Sequence, residues 1–184
     1  MLNIFNELAP FIEDSQAEIH VREYAKLTGL SAPTAAKRLA EYEHEGILSK
    51  RIDKRHHLYM ASHTGIYQDI CQAYWRQKLS PLTQQIESVI PKPIIVLFGS
   101  LAKGNASKTS DIDIVIFGLS SKVPETSHFE KKFKRTIHLF SATRKEDITN
   151  PHLLTNMREG IYLAGSWSDV EFLSGAQNSK ARAT

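Results

Sequence analysis

The residues best suited to chemistry stand close together between positions 94 and 118. A first apolar run ends at Gly99-Ser100, and a second apolar run begins around Asp111 and Asp113. Side chains alternate along a strand, so both aspartates are expected on one face while the neighbouring isoleucines enter the core. Paired carboxylates suit Mg²⁺, which takes one or two of them together with water and phosphate oxygens. The spacing therefore predicts a metal site.

The glycine-serine pair supplies what a phosphate group needs. Gly99 has no side chain, so the backbone can approach a phosphate closely there. The Ser100 hydroxyl and the neighbouring amides can donate hydrogen bonds to it at the start of a helix. Together with Asp111 and Asp113, this pair predicts a site for a polyphosphate bound with Mg²⁺.

The pattern formed by Gly99-Ser100, Gly104 and Ser110-Asp111-x-Asp113 resembles the signature of the DNA polymerase beta type nucleotidyltransferase superfamily, above all its minimal members. The resemblance spans about residues 91 to 166. It implies a mixed sheet with flanking helices and two Mg²⁺ ions bridging a nucleoside triphosphate to the aspartates. The residues expected to bind this nucleotide are Gly99, Ser100, Lys103, Gly104 and Ser110.

The family pattern also calls for a third carboxylate on a later strand. The matching strand here is 136–141, and its inward position holds His138. Imidazole is a poorer Mg²⁺ ligand than carboxylate, although a neutral histidine can accept a proton. We therefore count His138 with Asp111 and Asp113 as a catalytic candidate, the alternative being a hydrogen-bonded strand residue without a role. The other nearby acids lie in segments that read as loop or helix: Glu125, Glu130, Glu146 and Asp147.

The N-terminal part reads as helix, short strand, two helices joined by a tight turn, and a β-hairpin. Gly29 suits the left-handed end of one helix, Ser31 caps the next, and Gly46 ends it. The run 47–60 alternates around a charged turn, as a hairpin does. This order resembles a winged helix-turn-helix domain over residues 1–62.

If residues 31–45 form a recognition helix, its exposed side would meet the DNA major groove and the hairpin would reach phosphates. The predicted DNA-binding residues are Thr34, Lys37, Arg38, Lys50, Arg51, Lys54 and Arg55. Protein docking by this domain, or a charged hairpin that is only solvated, are the alternatives. A second basic cluster, at residues 131–135, either approaches a polyphosphate or RNA or forms a solvated helix face.

The whole chain has 184 residues, a net charge of +3, 41% hydrophobic residues and a single cysteine. The two resemblances together imply an α+β protein. The single cysteine indicates a reduced thiol, and the chain is expected in the cytoplasm without a membrane span. The predicted organisation is a winged helix-turn-helix at 1–62, a helical connector at 63–90, a nucleotidyltransferase-fold domain at 91–174 and a flexible tail at 175–184.

Two functions follow from this organisation. The first is a DNA-binding transcriptional regulator whose nucleotidyltransferase domain binds NTP and Mg²⁺ with weak or lost transfer. The second is an active enzyme that transfers a nucleoside monophosphate to a hydroxyl of a protein, a nucleic acid or a small molecule. The expected partners are DNA, NTP, a protein partner or acceptor, and a second copy in a homodimer.

Overall fold

The computed structural model describes residues 2–53, 56–118 and 124–170. Its contacts divide these residues into two compact units. The first unit contains the described residues up to Trp75 together with Lys103–Thr109; the second contains Arg76–Ala102 and the described residues from Ser110 onwards. The predicted division into four segments stays a prediction, and the tail at 175–184 lies outside the described residues.

The first unit has the element order that the sequence predicts. Its elements are α1 (Asn3–Ile12), β1 (Ile19–His20), α2 (Val21–Thr28), α3 (Ala32–His44), β2 (Leu48–Asp53) and β3 (His56–Ala61). The three strands form an antiparallel sheet in the order β1-β3-β2.

Local sequence explains where α2 and α3 meet. Gly29 ends α2 with φ 72°, in the left-handed region that glycine adopts without strain. Two residues later the Ser31 hydroxyl accepts a hydrogen bond from the Thr34 amide and caps α3. Buried Ala35, Leu39 and Tyr42 on one face of α3 enter the core of this unit, as their spacing predicts.

Helix α4 runs unbroken over Gly65–Val89 although it contains Pro81. The sequence predicts helical structure over 63–90, and Pro81 lies inside that range. Proline removes one helical hydrogen bond, but apolar side chains on both sides of it, Leu79, Leu82 and Ile86, are fully buried. Their packing holds the helix together across the missing bond. None of the helices in the described ranges is long and apolar enough to cross a membrane.

The second unit is built on a four-stranded mixed sheet in the order β6-β5-β4-β7. Strands β5 and β6 are parallel, whereas β4 is antiparallel to both β5 and β7. The remaining elements of the chain are β4 (Ile94–Phe98), α5 (Gly99–Ala102), β5 (Ile112–Phe117), α6 (Ser127–Phe133), β6 (Ile137–Ala142), a 3₁₀ turn (Lys145–Asp147), α7 (Pro151–Arg158) and β7 (Ile161–Ala164). The α+β fold with a mixed sheet is thus as predicted.

One face of this sheet carries an apolar cluster that supports the strands. Its buried members include Val96, Phe98, Val115 and Phe117 from the strands and Met157 from α7. All five residues of β4 are buried, which makes β4 a central strand with both faces covered. The core thereby fixes the ends of β4 and β5, where the chemistry-bearing residues lie.

Candidate functional site

Asp113 and His138 occupy matching positions on two neighbouring strands. Strands β5 and β6 run parallel with Asp113 opposite His138, so both side chains project from the same face. His138 Nδ1 lies 3.1 Å from Asp113 Oδ1, a hydrogen-bond distance. The Asp113 side chain is 27% exposed and that of His138 is 48% exposed. The pair therefore lies at the surface of the sheet, open to a ligand.

Gly99 is the third residue of the site, beside Asp113 and His138. It begins the single-turn helix α5 with φ 78°, a left-handed conformation that L side chains rarely adopt. A Cβ built on Gly99 would stand 2.6 Å from Asp113 Oδ2. The Asp113 carboxylate thus has one oxygen at the Gly99 backbone and the other at His138.

Asp111 stands immediately before β5, because the strand begins at Ile112 rather than at Asp111. Ile112 and Ile114 are buried while Asp113 is half-buried, so the predicted alternation holds from Ile112 onwards. Asp111 itself is half-buried. The amide of Ile112 donates to the carbonyl of Thr136 at 2.9 Å, which joins the start of β5 to the residue before β6.

Arg135 holds the residue just before Asp111. Its side chain is buried, with 8% of its surface exposed, and its guanidinium donates from Nη1 to the carbonyl of Ser110. The sequence placed Arg135 in a basic cluster that either contacts a polyphosphate or forms a solvated helix face. For Arg135 both interpretations are wrong, because α6 ends at Phe133 and the side chain folds inward to the Ser110 carbonyl.

Three other acidic residues near the site accept hydrogen bonds from backbone amides close to them in the chain. Glu130 Oε1 accepts from the Ile137 amide at 2.9 Å, and Asp147 Oδ2 accepts from the amides of Thr143 and Arg144. The Glu125 carboxylate accepts from the amide and hydroxyl of Ser127, which lowers the pKa of Glu125. Each of these three carboxylates thus stabilises its own turn or strand end.

Two aromatic residues that the sequence analysis did not assign lie beside the Asp113–His138 pair. Phe98 lies opposite Asp113 in the antiparallel register, and Phe140 lies two residues beyond His138 on the same face of β6. Their ring centroids are 5.6 Å apart, and Phe140 is 41% exposed. The signal in the sequence was the i, i+2 spacing from His138.

Lys103 and Gly104 belong to the first unit. Lys103 is exposed, and Gly104 has φ 68°. A Cβ on Gly104 would lie 3.5 Å from Tyr67 and 3.8 Å from the Cys71 sulfur, both on α4. Packing and backbone conformation thus account for glycine at 104. Burial raises the pKa of the Cys71 thiol to about 11, so it stays a neutral packing group.

Carboxylates pair with the described cations that the sequence assigns to DNA. Arg38 Nη1 donates to Glu41 at 3.0 Å, and its Nε lies 3.4 Å from Glu7. Lys50 Nζ donates to Glu43 at 3.3 Å.

The remaining DNA-binding candidates follow the same pattern or lie elsewhere. Arg51 forms a bidentate ion pair with Glu18 and lowers the pKa of that carboxyl group. Lys37 Nζ is 3.8 Å from Glu41, and the Thr34 hydroxyl is 2.8 Å from that of Ser31. Lys54 and Arg55 lie outside the described residues.

In the described ranges, no group of three or more histidines, cysteines, aspartates and glutamates is arranged to hold a metal ion. The structure brings one carboxylate, Asp113, and one imidazole, His138, together beside Gly99, and Asp111 lies just before the same strand. An ion held there needs further ligands from water or from a substrate. This is how Mg²⁺ is usually held, by one or two carboxylates plus phosphate oxygens.

One family of known proteins matches part of this chain. Residues 84–157 match the family described as "Nucleotidyltransferase domain", so the chain contains a nucleotidyltransferase domain. The matched range includes Gly99, Asp113 and His138. No curated protein matches the chain. A solved structure described as "Crystal structure of the toxin-antitoxin with AMP-PNP" is similar at 20% identity and a TM-score of 0.39, covering 59% of this chain and 87% of the other.

Proposed function

We propose that the nucleotidyltransferase domain binds a nucleoside triphosphate together with a divalent metal ion at Gly99, Ser100, Asp111 and Asp113. The observation that carries this proposal is the contact between Gly99 and Asp113. A glycine in a left-handed conformation, with a carboxylate at its Cα, brings backbone and a carboxylate oxygen close together. A triphosphate and a metal ion need this combination, a backbone approachable by phosphate beside a hard oxygen ligand.

The residues present fit such a metal ion in part. Asp111 and Asp113 would hold it, and the phosphates would complete its ligand set. When bound, the ion would neutralise phosphate charge and polarise the reacting phosphorus. Ser100 would donate to a phosphate oxygen, and Arg135 would keep Asp111 in place through the Ser110 carbonyl.

Transfer is proposed to be weak or lost. His138 lies at the position on β6 opposite Asp113 and is hydrogen-bonded to it. Glu125, Glu130 and Asp147, the nearby acids with resolved contacts, are held by local amide groups. Without a third carboxylate at the site, the domain would bind a nucleotide but transfer its nucleoside monophosphate slowly or not at all.

Phe140 is proposed to receive the nucleobase. Its half-exposed ring packs against Phe98 and lies on the strand face that carries His138. Stacking of a base on an aromatic ring contributes about 1–3 kcal/mol in nucleic-acid complexes. Phe140→Leu should therefore lower affinity for NTP and leave affinity for inorganic tripolyphosphate, which has no base, unchanged.

The experiment that tests the proposal is calorimetric titration of each NTP with a divalent metal against the whole chain, followed by an assay for released pyrophosphate. Saturable binding that Asp113→Asn weakens by about tenfold or more, with little pyrophosphate released, supports a nucleotide-responsive protein. Rapid release of pyrophosphate that Asp111→Asn abolishes would replace it with the active transferase. Absence of binding would overturn the proposal.

We further propose that the first unit binds DNA as a winged helix-turn-helix, which would make the protein a nucleotide-responsive regulator. The supporting observation is the tight Gly29–Ser31 connection between α2 and α3, followed by an exposed hairpin strand that carries Lys50 and Arg51. Since Glu43 and Glu18 hold these two cations, phosphates would have to compete with carboxylates for them. Exposed ion pairs contribute little stability, so DNA phosphates can displace these carboxylates from Lys50 and Arg51.

A further inference from the structure

The Asp113–His138 pair has the dimensions of two neighbouring ligands on one metal ion. The distance from Asp113 Oδ1 to His138 Nδ1 is 3.1 Å. Two donor atoms about 2.1 Å from an octahedral ion, and at right angles to each other, are about 3.0 Å apart. The hydrogen bond and the edge of such a coordination shell are therefore nearly equal in length.

We propose that Asp113 and His138 together form a mixed oxygen–nitrogen metal site, which selects a first-row transition-metal dication over Mg²⁺. The inference rests on the proposed nucleotide function, because triphosphate oxygens complete the ligand set. It goes beyond that function by naming the class of metal and a nitrogen ligand.

The geometry of the strands argues for this pairing. Parallel β5 and β6 hold the two side chains at one register position, so both remain together without any rearrangement of the backbone. In the hydrogen bond, Nδ1–H of His138 donates to the Asp113 carboxylate, which can only accept. A metal ion that takes the place of this hydrogen, with the ring hydrogen on Nε2, meets the lone pair of Nδ1. His138 is about half exposed, so an ion and a polyphosphate can reach it from solvent.

The chemistry of the donors argues for the class of metal. Mg²⁺ takes oxygen ligands, whereas imidazole nitrogen suits transition metals, and their affinity rises from Mn²⁺ towards Cu²⁺. With Glu125, Glu130 and Asp147 committed to local amides, none of these three supplies a replacement oxygen as they are placed. The nitrogen of His138 is then the protein ligand that accompanies the Asp113 carboxylate.

The test uses Mn²⁺ as the probe and inorganic tripolyphosphate as the companion ligand, because tripolyphosphate contains no nitrogen. Pulsed electron paramagnetic resonance of Mn²⁺ bound to the whole chain detects coupling to a ¹⁴N ligand. We expect this coupling in the wild-type protein and its loss in His138→Asp and His138→Gln. We also expect Mn²⁺ to support tripolyphosphate binding at a concentration about tenfold or more below that of Mg²⁺, and His138→Asp to narrow this ratio.

The outcomes separate the two proposals. Tripolyphosphate binding without nitrogen coupling, or with a metal preference that His138→Asp leaves unchanged, overturns the mixed-ligand site and leaves the nucleotide site standing. Absence of binding with either metal overturns both. Circular dichroism of His138→Asp and His138→Gln shows whether each variant is folded, and the charge-neutral His138→Gln keeps the test valid if an added carboxylate disturbs the sheet.

Discussion

A Cβ atom on Gly99 would lie 2.6 Å from Oδ2 of Asp113. That distance is well inside van der Waals contact, so the carboxylate occupies the space that any side chain at position 99 would need. The φ of 78° at Gly99 disfavours a side chain there as well. Glycine at this position is therefore tied to the placement of one particular carboxylate.

Gly99→Ala should weaken nucleotide binding by about tenfold or more, equivalent to about 1.4 kcal/mol, because the methyl group displaces Asp113. Its left-handed backbone should also cost about 1–2 kcal/mol of stability. Calorimetric titration and thermal unfolding measure the two effects. The matched control is Gly29→Ala, at φ 72° with no atom within 4 Å of the added Cβ. The control should lose stability and keep its affinity; equal affinity in Gly99→Ala would contradict the role of this contact.

Arg135→Met should destabilise the second unit by about 1–3 kcal/mol, because it leaves the Ser110 carbonyl without its charged donor. Urea denaturation measures this loss. Nucleotide affinity should fall as well, since Ser110 precedes Asp111. Lys131→Met removes the same charge from an exposed position on α6 and should change neither quantity. If both variants behave alike, the Arg135 contact does not support the site.

Gly160→Ala should destabilise the sheet by about 2 kcal/mol or more, because packing leaves no room for a methyl group. A Cβ there would stand 2.5 Å from the Leu97 carbonyl oxygen and 2.6 Å from a methyl of Val96. Gly65→Ala, at the start of α4 with nothing within 4 Å, is the control and should be neutral. Differential scanning calorimetry measures the melting temperatures of the two variants. Similar melting temperatures would show that β4 can shift at Leu97 to make room for the methyl group.

Replacing both Glu18 and Glu43 by glutamine should strengthen non-specific DNA binding, because Arg51 and Lys50 are then released to phosphates. We expect a gain of about threefold to tenfold at low salt and a steeper dependence of affinity on salt concentration. Fluorescence anisotropy with a labelled duplex measures both. Glu87→Gln changes an exposed glutamate of the second unit and should have no effect. A double variant that binds DNA no more tightly than wild type would argue that this hairpin does not contact DNA.

The sequence predicted the elements well where one residue type has one structural meaning. Gly29, Ser31 and Gly46 mark helix ends through backbone freedom or a capping hydroxyl, and the structure has helix ends at these positions. Alternation around Asp113 likewise placed the buried isoleucines of β5. These are local effects, and local sequence is sufficient to predict them.

The partners of long polar side chains could not be predicted in the same way. Arg135 follows three lysines within five residues, and only the end of α6 at Phe133 turns its guanidinium inward to Ser110. Glu18 and Arg51 are far apart in sequence and meet because β1 and β2 share a sheet with β3. Such contacts depend on tertiary structure, and charge patterns alone do not reveal them.

The proposed metal and nucleotide site depends above all on Asp113, which is held between Gly99 and His138. Its most direct test is calorimetric titration of NTP with Mn²⁺ or Mg²⁺ into the wild-type chain and into Asp113→Asn, which has nearly the same shape and lacks the charge. We expect saturable, metal-dependent binding to the wild-type chain and a loss of affinity of about tenfold or more in Asp113→Asn, with unchanged circular dichroism. Equal affinity in the two proteins would contradict it.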